Sequence, residues 1–82
     1  MAYTLLRLPA VIARTGKSKS TIYLEIQRGL LPPPVHIGIR ARGWPDSEID
    51  AVNGARIAGK DEASIRLLVA DLVSARGQEV AR

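Results

Sequence analysis

Residues 15–23 read Thr15-Gly16-Lys17-Ser18-Lys19-Ser20-Thr21-Ile22-Tyr23 and have the features of a tight turn followed by a new helix. Gly16 stands where a glycine commonly ends a helix, because glycine adopts the left-handed conformation at little cost. Ser18 is the predicted N-cap of the next helix, since its hydroxyl can accept a hydrogen bond from a free backbone N–H. The stretch therefore predicts the turn and the second helix of a helix-turn-helix.

Helical periodicity surrounds this turn on both sides. The core-facing stripe before it, at spacings of three and four residues, comprises Leu8, Val11, Ile12 and Thr15. Pro9 suits the first helical turn, where its missing N–H is not needed. After the turn, the predicted buried face comprises Ile22, Ile26 and Leu30, with Tyr23 at its flank. The opposite face, at about 100° per residue, comprises Ser20, Thr21, Leu24, Gln27 and Arg28.

A β-hairpin is predicted directly after the three prolines that end the second helix. Alternating apolar residues over 35–39 have the period of a half-buried strand. Residues 38–41 can turn, and residues 42–44 can return as a second strand. Arg40 and Arg42 would then lie near the tip of this hairpin.

Two more helices are predicted beyond residue 45. The first has an apolar stripe of Ile49, Val52 and Ile57, with Trp44 packed beside it. The second spans Asp61–Arg76 and is acidic at its start and basic at its end, as the helix dipole favours. The tail after Gly77 is predicted to fray.

The last helix also has an apolar stripe, which comprises Ile65, Leu68, Val69, Leu72 and Val73. Either the stripe folds back onto the domain and completes a thin core, or it pairs with a second copy. The second arrangement would give a homodimer or a cooperative array that reads repeated half-sites. The pattern alone leaves both arrangements open.

Composition excludes several classes of protein. The chain has 82 residues, no cysteine and one histidine, so we expect one small unit without disulfides or a metal site. Its net charge of +4 is unevenly distributed: residues 1–44 carry seven cations and one anion, and residues 45–82 carry five cations and seven anions. Because the positive charge gathers around the helix-turn-helix, the predicted partner is a polyanion.

The sequence predicts no enzymatic activity, no bound cofactor and no membrane-spanning segment. No apolar run approaches the roughly 20 residues of a membrane span, and we expect a cytoplasmic protein. No paired acidic or nucleophilic side chains occur in a cleft-forming pattern, so the chain is not predicted to be an enzyme. Residues 15–18 are similar to the end of a nucleotide-binding loop, but Val11 stands where that motif requires glycine. No cofactor or small-molecule ligand is therefore predicted.

A family resemblance is carried by a series of short motifs in matching order and spacing across residues 5–60. They are Leu8-Pro9-x-Val11, Thr15-Gly16-x-Ser18-Lys19-Ser20-Thr21-Ile22-Tyr23, Arg28-Gly29, Pro32, Pro34-Val35, Gly38-x-Arg40, Gly43-Trp44 and Ser47-Glu48-Ile49-Asp50-Ala51. In these motifs the sequence resembles the AlpA family of small phage- and island-encoded regulators. That family belongs to the winged-helix group that includes MerR-type DNA-binding domains and phage excisionases.

The resemblance implies a mainly α fold with a small β-hairpin wing, formed by a winged helix-turn-helix over residues 1–60. The chain from Asp61 onward lies beyond the family's common core, and the resemblance implies nothing about it. The sequence pattern alone predicts that residues 61–82 form a C-terminal helix and a frayed tail, for packing or dimerisation. Family members place the helix at residues 18–28 in the DNA major groove and the hairpin at residues 35–44 against the backbone or the minor groove. The contacts implied are Lys19, Ser20, Thr21 and Tyr23 on the helix and Arg40 on the wing. Leu24 and Gln27 stand where members often have basic residues.

The predicted function is sequence-selective binding of duplex DNA, as a transcriptional regulator or an excisionase-like recombination directionality factor. The predicted DNA-binding residues are Lys17, Lys19, Ser20, Thr21, Tyr23, Leu24, Gln27, Arg40 and Arg42. Of these, Ser20, Thr21 and Leu24 would face base edges. The alternative is a protein-interaction adapter that uses the C-terminal helix.

Overall fold

Four helices and a three-stranded antiparallel sheet form the fold, which a computed structural model describes over residues 3–80, with the backbone alone for residues 78–80. The helices are α1 (Leu8–Thr15), α2 (Lys19–Gln27), α3 (Asp46–Ile57) and α4 (Glu62–Val80). The strands are β1 (Leu5–Leu6), β2 (Val35–His36) and β3 (Arg42–Pro45), with β3 in the middle. The predicted mainly α fold with a hairpin wing and an additional C-terminal helix is confirmed.

The turn between α1 and α2 forms as the sequence predicts. Gly16 has a φ of +70°, and its N–H donates to the carbonyl of Ile12 at 2.9 Å. Ser18 is the N-cap of α2, and its Oγ accepts from the N–H of Thr21 at 3.2 Å. Local chemistry at the two helix ends thus sets the angle at which α2 leaves α1.

A single apolar core joins the helices to the sheet. Its buried members are Leu6, Val11, Ile22, Leu30, Leu31, Trp44, Ile49, Val52, Ile65 and Val69. The indole N–H of Trp44 donates to the carbonyl of Pro32 at 3.0 Å, so this buried polar group is satisfied. The prediction for Ile57 is wrong: it is 87% exposed, because it is the last residue of α3 and the chain leaves the helix there through Gly59.

The hairpin is shorter than predicted, and the sheet has one more strand than predicted. β2 pairs with β3 only at Val35 with Gly43 and at His36 with Arg42. The half-buried strand predicted over residues 35–39 is therefore wrong in its second half, and Ile39 is fully exposed. The reason is that the tip projects beyond the core, so no layer covers it. β1 supplies the third strand by pairing Leu5 with Pro45 and Leu6 with Trp44.

Helix α4 folds back onto the domain and packs against α3. Ile65 and Val69 are buried in the core, and Leu68, Leu72 and Val73 are partly buried against it. The structure thus realises the first of the two arrangements considered for this stripe. None of the helices within residues 3–80 combines the length and the hydrophobicity that a membrane-spanning segment requires.

The ends of α4 differ slightly from prediction. The helix starts at Glu62 rather than Asp61, because the Asp61 carboxylate accepts the N–H of Ser64 at 2.8 Å. That backbone hydrogen bond, with a second one from the Ser64 side chain, lowers the pKa of Asp61 below 3.8. Instead of ending at Arg76, the helix passes through Gly77 and continues to Val80. Residues 81–82 of the predicted tail lie outside the described residues.

Arg76 fastens the second half of α4 to the start of α3. Its guanidinium donates to the two carboxylate oxygens of Glu48 at 2.6 and 2.9 Å and to the carbonyl of Pro33 at 2.7 Å. Glu48 is only 5% exposed. Arg76 thus links three separate segments, including the proline run that leads into the wing.

Candidate nucleic-acid interface

The outer face of α2 is open to solvent. Ile22 fixes the inner side of the helix in the core, and α4 packs on α3. The exposed residues of α2 and its C-cap are Lys19, Ser20, Leu24, Gln27 and Arg28. A helix with a rigid attachment and a free polar face has the properties needed to enter a DNA groove.

Two predicted contact residues of α2, Thr21 and Tyr23, are half-buried. The Thr21 Oγ1 accepts a hydrogen bond from the Ser18 hydroxyl at 3.0 Å, so Thr21 also belongs to the N-cap. The Tyr23 hydroxyl has no hydrogen-bond partner within the described part of the chain. The Tyr23 hydroxyl is therefore an available donor at the edge of the helix. The Thr21 hydroxyl, by contrast, already takes part in the hydrogen bonds that cap α2.

Lys17 has a partner within the protein. Its ammonium lies 2.6 Å from Oε1 of Glu25, whose Oε2 lies 3.4 Å from the guanidinium of Arg56. The Glu25 side chain is largely buried, with 14% of its surface exposed. This cluster ties the turn, α2 and α3 together, so Lys17 would have to leave Glu25 in order to reach a ligand.

The wing arginines and α2 meet at one concavity. Arg40 and Arg42 line an open cavity of about 230 Å³ together with Tyr23. The other lining residues are Arg7, Leu8, Pro9 and Trp44. The structure thus brings three predicted site residues to one place, and Lys19, Leu24 and Gln27 lie outside that cavity on the exposed face of α2.

Several cations on this side of the molecule lack an ion-pair partner within the part of the chain that the structure describes. Among the described residues, no carboxylate forms an ion pair with Arg7, Lys19, Arg40 or Arg42. Unpaired cations around a concave surface create a positive potential that attracts anions.

Sequence reasoning missed two residues of this region, Arg7 and Glu25. Arg7 immediately precedes α1, but its place beside the wing depends on the pairing of β1 with β3. Glu25 could have been noticed, because it is the only anion among the first 44 residues. An isolated acid within a basic segment is a reasonable candidate for an internal ion pair.

Comparison with known proteins identifies a family and relatives that this chain resembles. The family described as "Prophage CP4-57 regulatory protein (AlpA)" matches residues 4–51, more than half of the chain. The uncharacterized protein ORF88 of Enterobacteria phage P4 is 44% identical over 55 residues, which cover 67% of the chain and 62% of that protein. The DNA-binding transcriptional activator AlpA of Escherichia coli (strain K12) is 36% identical over 55 residues, which cover 60% of the chain and 79% of that protein.

The matches cover only part of this chain and part of its relatives. The chain spans less than two thirds of the phage P4 protein, and no solved structure matches it. The matched residues 4–51 contain β1, α1, α2, the hairpin and the start of α3. All predicted contact residues lie in that part, and α4 lies outside it.

Proposed function

The chain belongs to the AlpA family of phage regulators, and on this premise we propose that it binds duplex DNA and regulates transcription. α2 would enter the major groove, and the hairpin of β2 and β3 would contact the backbone or the minor groove as a wing. One relative is named a DNA-binding transcriptional activator, which supports this assignment.

One observation carries the proposal: the half-buried Tyr23 of α2 lines the same cavity as the two wing arginines, which form no ion pair with a carboxylate of the described residues. Tyr23 comes from α2, and Arg40 and Arg42 come from the wing. A duplex that receives the helix in its groove would bring its negatively charged backbone to these arginines. If these charges served only solubility, α2 and the wing would not need to contribute residues to the same cavity.

The contacts divide into two groups. Ser20, Thr21 and Leu24 would face base edges, where the exposed Leu24 side chain suits the methyl group of thymine. Lys19 and the wing arginines would bind phosphates, and Gln27 could form a bidentate contact with adenine. Lys17 stays a predicted contact. Its support is weaker than that of the other residues, because its ammonium already forms an ion pair with Glu25.

Other roles have less support. An excisionase-like role in recombination would use the same surface and stays a prediction. The adapter alternative depends on the apolar stripe of α4, but Ile65 and Val69 are buried within the monomer. A homodimer or cooperative array through that stripe also stays a prediction, for which these two residues are not available in this structure.

Selection of bound fragments from random duplexes, followed by fluorescence anisotropy across salt concentrations, tests the proposal. Log K should fall with log salt, at a slope of about −3.6 if Lys17, Lys19, Arg40 and Arg42 each neutralise one phosphate. Lys19→Ala should weaken binding to all duplexes, whereas Lys60→Ala, which removes an exposed lysine from the turn between α3 and α4, should not. Ser20→Ala should change the selected sequence.

Two results would contradict the proposal. One is an affinity that ignores salt or is absent for every duplex. The other is an equal effect of the Lys19 and Lys60 substitutions, since that would make binding a property of net charge rather than of the α2 face.

A further inference from the structure

The cavity between the start of α1 and the wing is small and is lined by several positive charges. Its volume of about 230 Å³ is below the roughly 300 Å³ at which pockets for drug-sized ligands begin. Three of its seven lining residues are arginines, and none is an aspartate or glutamate.

No carboxylate within the described residues pairs with Arg7, Arg40 or Arg42. Cations that share one cavity repel each other, so their arrangement is unfavourable until an anion binds between them. All three arginines are exposed, so an anion can reach them from solvent.

Sheet register explains why Arg7 lies there. Because Leu6 pairs with Trp44 in an antiparallel register, the chain after Leu6 runs back toward Gly43 and Arg42. Arg7 is also the N-cap of α1, and its side chain makes no capping hydrogen bond. The side chain is therefore free to bind a ligand without loss to the helix.

We propose that this cavity holds a single phosphate group of the DNA backbone, bound jointly by Arg7, Arg40 and Arg42. The Tyr23 hydroxyl would donate a further hydrogen bond to the same group. This inference rests on the proposed function and adds one contact residue, Arg7, that lies outside α2 and the hairpin. A phosphate bound by the N-cap residue of α1, by α2 and by the wing would fix the wing relative to the helix in the groove.

Salt dependence distinguishes a shared phosphate from separate ones. The slope counts neutralised phosphates rather than arginines. The triple variant Arg7→Ala, Arg40→Ala, Arg42→Ala should therefore flatten the slope by about 0.9, whereas three separate phosphates predict about 2.7. Arg7→Ala alone should weaken binding about tenfold, equally for selected and unrelated duplexes. Lys60→Ala serves as the charge-matched control, and circular dichroism checks folding.

Duplexes that carry one uncharged methylphosphonate at successive positions identify the phosphate. One position should weaken binding of the native protein but not of the triple variant. Tyr23→Phe should reduce the effect of that same position while leaving the fold unchanged.

The outcomes separate this inference from the proposed function. If the native protein bound no duplex, the proposed function would fail and this inference with it. If the native protein bound DNA but Arg7→Ala bound equally well, or if the triple variant lost about 2.7 in slope, only the shared phosphate would be refuted. Binding of inorganic phosphate without any sensitive methylphosphonate position would refute it as well, because the site would then serve a free anion.

Discussion

Replacing Arg76 with methionine tests what holds α4 to the fold. The guanidinium forms two hydrogen bonds with the carboxylate of Glu48 and one with the carbonyl of Pro33. Methionine keeps much of the apolar stem of arginine, so the substitution removes mainly the charge and the hydrogen bonds. Glu48 would then be an unpaired carboxylate at a site that is 5% exposed.

The expected loss follows from this burial. Removing one partner of a buried ion pair costs about 3–5 kcal/mol, because the remaining charge stays uncompensated. The Arg76 side chain is 21% exposed, so water can reach part of the vacated space. We therefore expect the lower end, about 3 kcal/mol, from a total stability of about 4–12 kcal/mol for a chain of this length. The corresponding fall in Tm is about 12–24 °C.

Thermal and urea unfolding, followed by circular dichroism at pH 7, measures this change. The control is the double variant Glu48→Gln, Arg76→Met, in which no charge is left without a partner. It should regain at least half of the lost stability. Duplex affinity below the unfolding transition should be the same in all three proteins, because neither residue lies on α2 or the wing.

A fall in Tm of less than about 4 °C, which corresponds to less than about 1 kcal/mol, would contradict the expected role of the ion pair. A double variant that is as unstable as the single variant would contradict it as well. Either result would mean that apolar contacts of α4, rather than its ion pair, hold the helix in place.

Three other substitutions test separate features. Glu25→Gln should lower the free energy of unfolding by about 1–2 kcal/mol in urea titrations, because Lys17 and Arg56 lose their shared partner. Unchanged stability would mean that these ion pairs do not stabilise the fold. Gly43→Ala should lower Tm, measurably in a thermal melt, because a Cβ there would lie 3.2 Å from the Cβ of Leu5; a neutral result would mean that β1 shifts freely. The folded-state pKa of Asp61 is lowered, so its carboxylate stabilises the fold above its unfolded pKa of about 3.9, and this contribution is lost as pH falls through the folded value. The stability advantage over Asp61→Asn should therefore shrink below pH of about 4 in pH-dependent melts, and a gap that stays constant with pH would contradict this.

Features set by neighbouring residues could be predicted from the sequence. The end of α1 at Gly16 and the start of α2 at Ser18 depend on backbone conformation and capping within a few residues. The buried face of α2 follows from helical periodicity, and the structure places Ile22 in the core accordingly. Such signals need no knowledge of the tertiary fold.

Features that depend on distant contacts could not be predicted in this way. Ile39 continues an alternating pattern, but burial requires a second layer, and the hairpin tip has none. Ile57 continues the stripe of α3 but lies where the chain turns away. The position of Lys17 at a helix start predicts a contact with DNA. Its ion pair with Glu25, eight residues further along the chain, depends on how the turn and α2 fold together.

The position of Arg7 shows how a short strand can determine a binding surface. β1 is only two residues long, and side chains alternate between faces along a strand, so a shift of one residue would exchange the buried Leu6 with the exposed Leu5. Burial of Leu6 therefore fixes the register, and Gly43 allows the close approach, since a Cβ there would also lie 3.4 Å from the carbonyl oxygen of Leu6. Because Arg7 follows Leu6 directly, the packing of one leucine determines whether this arginine can act together with those of the wing.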